Sequence, residues 1–167
     1  YDDEQGRIVR SSSHPAQKDR VKKRLVDLAG QPVELFEPLI LSRNENQGFV
    51  KTIESARGCS MGACRFCMLT YYRPYRERPA EKLKEAIDRR IAKGLERVGL
   101  SAPNPTEHSE ITEIGNYILR RGIRWSIQSE RFDTFSADSA WGNITSGRRF
   151  VTLALEAASE KVRRAIN

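Results

Sequence analysis

The sequence predicts an α/β fold, a partial (β/α) barrel with parallel strands, on three observations. From residue 48 onward, short extended runs alternate with helical patterns at about 25–45 residue spacing, the mark of βαβ units. Glycines at 94 and 122 end two of the helical patterns cleanly. Polar residues cluster just after each extended run, where parallel α/β folds gather their ligands.

The elements follow in order. Residues 49–54 read as the first strand, ending at Ser55, and a cysteine-rich loop follows. Residues 79–93 read as a helix: Pro79 suits a first turn, and Leu83, Ile87 and Ile91 recur every four residues. Residues 96–101 are a second strand. Residues 109–121 are a second helix, with Ser109 as its expected cap and Gly122 as its stop. Residues 123–128 are a third strand, ending at Gln128 before Ser129, Glu130 and Arg131. A loop or short helix runs through 133–147, a fourth strand through 149–155, and another helix begins at 158. Right-handed crossovers place these helices outside a curved sheet.

Ahead of this alternation, residues 1–14 are polar and Ser-rich and read as a flexible lead-in. Residues 15–47 form an N-terminal extension, helical over 15–29 and extended over 33–42, although Pro38 argues against a central strand. Residues 48–167 then form the N-terminal half of the core domain. Four strands are too few to close a barrel and the last helix is barely begun at Asn167, so the chain is expected to be part of a longer protein.

Composition narrows the class. The 167 residues are enough for a real core, and 38% hydrophobic against 31% charged residues reads as soluble and globular. No apolar run approaches the roughly 18 residues of a membrane span, so no membrane partner is expected. The net charge of +7 admits an anionic partner such as RNA. That charge is scattered among acids on predicted helices, which reads as solvated faces.

All three cysteines lie within nine residues, Cys59 to Cys67, in C-S-M-G-A-C-R-F-C. So close a set is not a disulfide framework and points to a reducing cytoplasmic compartment. A structural zinc site closes with four ligands, and an iron–sulfur cluster usually takes four cysteines. Three with no local fourth imply a cluster with one iron open to something else.

The stretch R-G-C-S-M-G-A-C-R-F-C, residues 57–67, resembles the cluster loop of radical S-adenosylmethionine (SAM) enzymes. The family's usual spacing is three residues and then two; here it is four and then two. Residues 73–83, R-P-Y-R-E-R-P-A-E-K-L, resemble the segment after the cluster in uncharacterised radical SAM proteins often found with cobalamin-binding domains. Residues 153–167 resemble the fourth-strand E-x-x-S-E-x-x-R segment of the same group. The resemblance covers about residues 50–167 and implies the radical SAM type of partial barrel.

The resemblance also implies a mechanism. Cys59, Cys64 and Cys67 hold three irons of a 4Fe–4S cluster, and SAM binds the fourth through its amino and carboxylate groups. An electron from a donor such as flavodoxin or ferredoxin cleaves the sulfonium. The resulting 5′-deoxyadenosyl radical abstracts hydrogen from a substrate that the sequence does not identify. Phe66 takes the aromatic position beside the adenine. Ser101 to Asn104 stand where the family binds the SAM amino group, with Ala102, Pro103 and Asn104 in place of a Gly-Gly-Glu motif. Arg131 is the candidate for the SAM carboxylate, a pairing guanidinium geometry favours. Glu156 pairs with Arg131 or meets the ribose hydroxyls. Cobalamin as a further cofactor is expected only outside this chain.

Plainer readings stand beside these. The cysteines and His108 or His14 form a zinc site in a basic, non-enzymatic RNA-binding module. In that reading Tyr71, Tyr72 and Tyr75 stack on bases amid Arg73, Arg76 and Arg78. In another reading the extra residue before Cys64 leaves a barrel without a cluster. Asn104 reads equally as a turn residue, Arg131 as an ion-pair partner of Glu130 or Asp133, and Trp125 and Trp141 as packing residues.

Overall fold

The computed structural model describes residues 25, 27–32, 52–69, 74–127 and 129–166. The predicted lead-in, the extended run at 33–42 and most of the helix at 15–29 lie outside them, as do Tyr71, Tyr72 and Arg73. The end of that helix is described, and it is not helical. Residues 28–31 form a bend in which the Asp27 carboxylate accepts from the N–H groups of Ala29 and Gly30. An aspartate bonding the backbone two and three residues on favours a turn over a helix.

Seven strands and four α-helices are described: β1 (Thr52–Glu54), β2 (Ala56–Arg57), β3 (Arg76–Glu77), α1 (Ala80–Ala92), β4 (Arg97–Ser101), α2 (Ile111–Arg120), β5 (Arg124–Ser126), β6 (Ser129–Arg131), α3 (Ala137–Thr145), β7 (Thr152–Ala154) and α4 (Glu160–Ile166). Strands β1, β4 and β5 form a parallel sheet in that order, with Ile53 opposite Leu100 and Val98 opposite Trp125. Two residues past β5, β6 pairs in parallel with β7, Glu130 opposite Leu153. The predicted third strand corresponds to β5, which pairs back to β4, while a separate strand, β6, pairs forward to β7; Gln128, the predicted strand end, lies outside the described residues. Parallel neighbours that follow chain order, with a helix at each crossover, are the connectivity of a (β/α) barrel segment.

The core shows why these residues form these elements. Leu83 and Ile87 of α1, and Ile114 and Ile118 of α2, are fully buried against Ile53, Val98, Leu100 and Trp125. Each such side chain contributes about 1.5–3 kcal/mol on burial. Trp125 of β5 fits only because α2 and α3 present Gly115 and Gly142 to its indole, where a Cβ would clash with the ring. Trp141, expected to pack, is instead 59% exposed on the outer side of α3.

Two caps differ from expectation. Ser109 does not cap α2: the flanking residue is Glu110, with no side-chain cap bond. Ser109 instead donates its N–H and hydroxyl to Glu77 of β3. The Glu110 carboxylate accepts from the Ala80 N–H at 3.0 Å and so serves the first turn of α1. One carboxylate thereby locks the starts of two consecutive helices together. Among the described residues no helix is long and apolar enough to cross a membrane.

Candidate active site at the carboxyl rim of the sheet

Strand direction sets the site. The carboxyl ends of β1, β4, β6 and β7 deliver, in order, the cysteine loop, residues 102–107, the segment from Arg131 to Asp133, and Leu155 with Glu156. The short antiparallel pair of β2 and β3 closes the base of the loop, with Ala56 opposite Glu77. Gly58 enters the loop at φ 83, a left-handed conformation that glycine adopts without steric cost.

Tethers from three elements shape the loop. The Cys67 N–H donates to the Cys64 carbonyl at 3.1 Å, making a tight turn between the last two cysteines. The Arg65 N–H donates to the Ile166 carbonyl of α4 at 2.8 Å. At the other end, the Ser60 hydroxyl donates to Glu107 Oε2 at 2.7 Å, and the Ser60 N–H approaches both carboxylate oxygens at 3.3 Å. The Glu107 side chain is 3% exposed. A carboxylate so enclosed needs partners, and it has them: Arg131 Nη1 donates to Oε2 at 2.8 Å, and Cys59 Sγ lies 3.9 Å from the same oxygen.

Arg131 joins the loop to the third-strand end. Its Nη1 also donates to Cys59 Sγ at 3.3 Å, while Nε and Nη2 grip Asp133 at 2.9 and 2.6 Å. The hydrogen bond to Asp133 chiefly holds the guanidinium above its ordinary pKa, against burial and with further help from Cys59. Asp133 is held below the usual carboxylate range in return. Of the two plain ion-pair readings of Arg131, Asp133 is the partner. Glu130 is buried and accepts instead from Asn143 at 3.0 Å.

Asn104 is buried and organises the rim from below. Its Oδ1 accepts from Thr106 at 3.1 Å and from the Arg131 N–H at 3.2 Å, and its amide donates to Thr134 at 3.0 Å. Ser101 is exposed, with its carbonyl accepting from the Ser55 N–H at 2.9 Å. Phe66 is 58% exposed beside the loop.

A cavity of about 440 Å³ opens at this rim, within the range of small-molecule sites. Met61 and Cys64 wall it on the loop side, Arg131 and Asp133 on another, and Leu155, Glu156 and Arg163 on the third. Glu156 is exposed and has φ 64, the one non-glycine residue at positive φ among those described. Exposed there, the carboxylate carries no burial cost. The Ala157 N–H donates back to the Leu155 carbonyl at 2.7 Å, closing a tight three-residue turn around Glu156. Arg163 fixes the next residues, donating to the Ala157 carbonyl at 2.7 Å and to Glu160. Backbone strain of this kind concentrates at functional sites.

Burial pushes the Cys64 thiol up, and the charges of Cys67, Glu156 and Cys59 push it the same way. Deprotonated together, three cysteines and a carboxylate in one neighbourhood would repel one another, and a cationic centre would make them compatible. Among the described residues, no group of three or more His, Cys, Asp or Glu side chains converges where a single ion would sit. A cluster of several irons does not need such convergence, since each thiolate meets a different iron. The donor set therefore fits an iron–sulfur cluster.

The zinc reading loses its described fourth ligand. His108 is buried, with Nε2 bonded to the Arg78 carbonyl at 2.8 Å and Nδ1 accepting from the Glu110 N–H at 3.1 Å. Arg78, counted among the RNA-facing arginines, is 1% exposed and donates to the carbonyls of Glu54 and Leu28.

Glu107 is not among the residues that the sequence singles out, and Asp133 enters only as an ion-pair partner of Arg131. The available signal is position: both lie a few residues past a strand end. No curated protein matches the chain. The family model described as the Radical SAM superfamily matches residues 53–167, more than half of the sequence. With its cysteine loop, strand order and rim cavity, this chain belongs to the radical SAM superfamily.

Proposed function

We propose that the chain cleaves SAM reductively at a 4Fe–4S cluster and so starts a radical reaction on a substrate outside its own sequence signals. The observation that carries this reading is the shared cavity: Cys64 of the cysteine loop, Arg131 and Glu156 all face the same 440 Å³ space. When bound, the reduced cluster supplies the electron that splits SAM into methionine and a 5′-deoxyadenosyl radical.

The protein residues have distinct tasks. Cys59, Cys64 and Cys67 hold three irons. The SAM carboxylate docks on the outer edge of Arg131, in place of Asp133. The Asp133 side chain is 52% exposed, so water takes the place of Arg131 on that carboxylate when the SAM carboxylate enters. The SAM ammonium is received by backbone carbonyls between Ser101 and Asn104, because the Asn104 side-chain oxygen is already accepting bonds within the rim. Glu156 faces the ribose hydroxyls, and Phe66 closes over the adenine. Met61 and Leu155 supply apolar walls that limit water around the reacting bond. An external donor of the flavodoxin or ferredoxin kind supplies electrons. Cobalamin rests only on the resemblance of residues 73–83 and 153–167.

The test is anaerobic incubation of reconstituted protein with SAM and dithionite, with 5′-deoxyadenosine and methionine measured by mass spectrometry. Equal amounts of both products, absent in Cys64→Ala, support the reading. Reconstituted protein that leaves SAM intact sinks it.

A further inference from the structure

The inner edge of Arg131 points away from solvent and onto a cysteine. Its Nη1 donates to Cys59 Sγ at 3.3 Å and to Glu107 Oε2 at 2.8 Å. The outer edge, Nε and Nη2, faces Asp133. The two edges differ in burial: the Arg131 side chain is 19% exposed, its inner partner Glu107 is 3% exposed, and its outer partner Asp133 is 52% exposed. The inner contact is thus the fixed one. Glu107 is fixed in turn by Ser60, the residue after Cys59, so guanidinium, carboxylate and first cysteine form one closed arrangement.

We propose that Arg131, aligned by Glu107, is a positioning residue for Cys59 that sets the reduction potential of the cluster through an N–H···S hydrogen bond. This rests on the cluster reading above and adds to it a role for Arg131 separate from SAM binding. The physical argument is electrostatic. One-electron reduction adds a negative charge to a centre that already bears thiolates. A cationic donor bonded to a ligating sulfur stabilises the reduced form more than the oxidised form, and hydrogen bonds to sulfur and local charge are established determinants of cluster potential. Glu107 acts with the opposite sign, since its carboxylate lies 3.9 Å from the same sulfur. Its net effect combines that repulsion with the alignment it gives Arg131.

The experiment is a redox titration of the reconstituted protein, followed by electron paramagnetic resonance without SAM, on the parent chain and on Arg131→Gln, Arg131→Lys and Glu107→Gln. Arg131→Gln is expected to lower the reduction equilibrium constant about tenfold, a shift of about 59 mV to more negative potential for one electron. Arg131→Lys keeps the charge but loses the fork, and is expected to fall between the two. Glu107→Gln removes the negative charge while keeping an acceptor for Ser60, and is expected to shift the potential the other way. Opposite shifts from two neighbouring substitutions are not what loosened packing produces. If Arg131→Gln fails to fold, the lysine and Glu107 variants still decide. A cluster that forms normally with potentials unchanged across the variants overturns this inference and leaves the SAM reading standing. A parent chain that takes up no cluster overturns both.

Discussion

The hydroxyl of Ser60 donates to the carboxylate of Glu107 across 47 residues of chain, at 2.7 Å. That bond ties the residue after the first cysteine to the turn after β4. Removing the carboxylate with Glu107→Ala unties the exposed Ser60 from the turn and leaves the partly buried Arg131 with one fewer anion. The expected cost is on the order of 2–3 kcal/mol of stability. Iron and sulfide per reconstituted chain should fall by half or more, while Glu107→Gln keeps most of the parent's loading. Chemical denaturation and metal analysis check both.

The Trp125 indole occupies space left by two glycines on different helices. Gly115→Ala and Gly142→Ala each force a methyl group into the ring, and overpacking of this kind costs about 1–3 kcal/mol. Both should lower the urea midpoint. The double variant should cost less than the sum, because one displacement of the indole relieves part of both clashes.

Glu77 gives the fold an acid limb. Burial raises its pKa, but bonds from Ser109 and Tyr75 and the nearby His108 outweigh it, holding the carboxyl below its ordinary value of 4.5. A depressed carboxyl stabilises the fold fully above its unfolded value and loses that contribution as pH falls through the lower folded value. Stability should therefore decline as pH drops from 5 toward the folded value. Glu77→Gln should be less stable by on the order of 1 kcal/mol at pH 7, with the difference shrinking in acid. Urea melts between pH 3 and 7 measure this directly; parallel pH profiles for the two proteins would contradict it.

Glu156 occupies the left-handed region at the mouth of the cavity. That conformation costs an L-residue about 1–2 kcal/mol, and glycine avoids most of it. Glu156→Gly should therefore match or exceed the parent in thermal stability while binding SAM at least tenfold more weakly. A variant that loses stability and keeps SAM affinity would show that Glu156 is structural.

Much of this architecture was legible in the sequence because its signals are local. The Leu83–Ile87 spacing and the glycines at 94 and 122 mark α1 and α2, which the structure bounds at Ala80–Ala92 and Ile111–Arg120. Residues of the cysteine loop, Arg131 and Glu156 come to one cavity because parallel strands deliver their ends to one rim. What was missed depends on contacts between distant segments. Ser109 reads as a helix cap until Glu77 arrives from another strand. Nothing local marks Glu107 as the carboxylate that joins Ser60 to Arg131. Nothing local in residues 123–131 marks β6 as a separate strand that pairs with β7 instead of β4. Trp141 reads as core by its size, yet its neighbour Gly142 is the residue that meets the Trp125 ring, and Trp141 itself is left exposed.

The most direct test of the central claim is electron paramagnetic resonance of the anaerobically reconstituted, reduced protein with and without SAM. The account predicts a 4Fe–4S signal that changes shape when SAM is added, because the iron not held by Cys59, Cys64 or Cys67 receives it. A colourless protein with stoichiometric zinc, or a cluster whose signal ignores SAM, would contradict it.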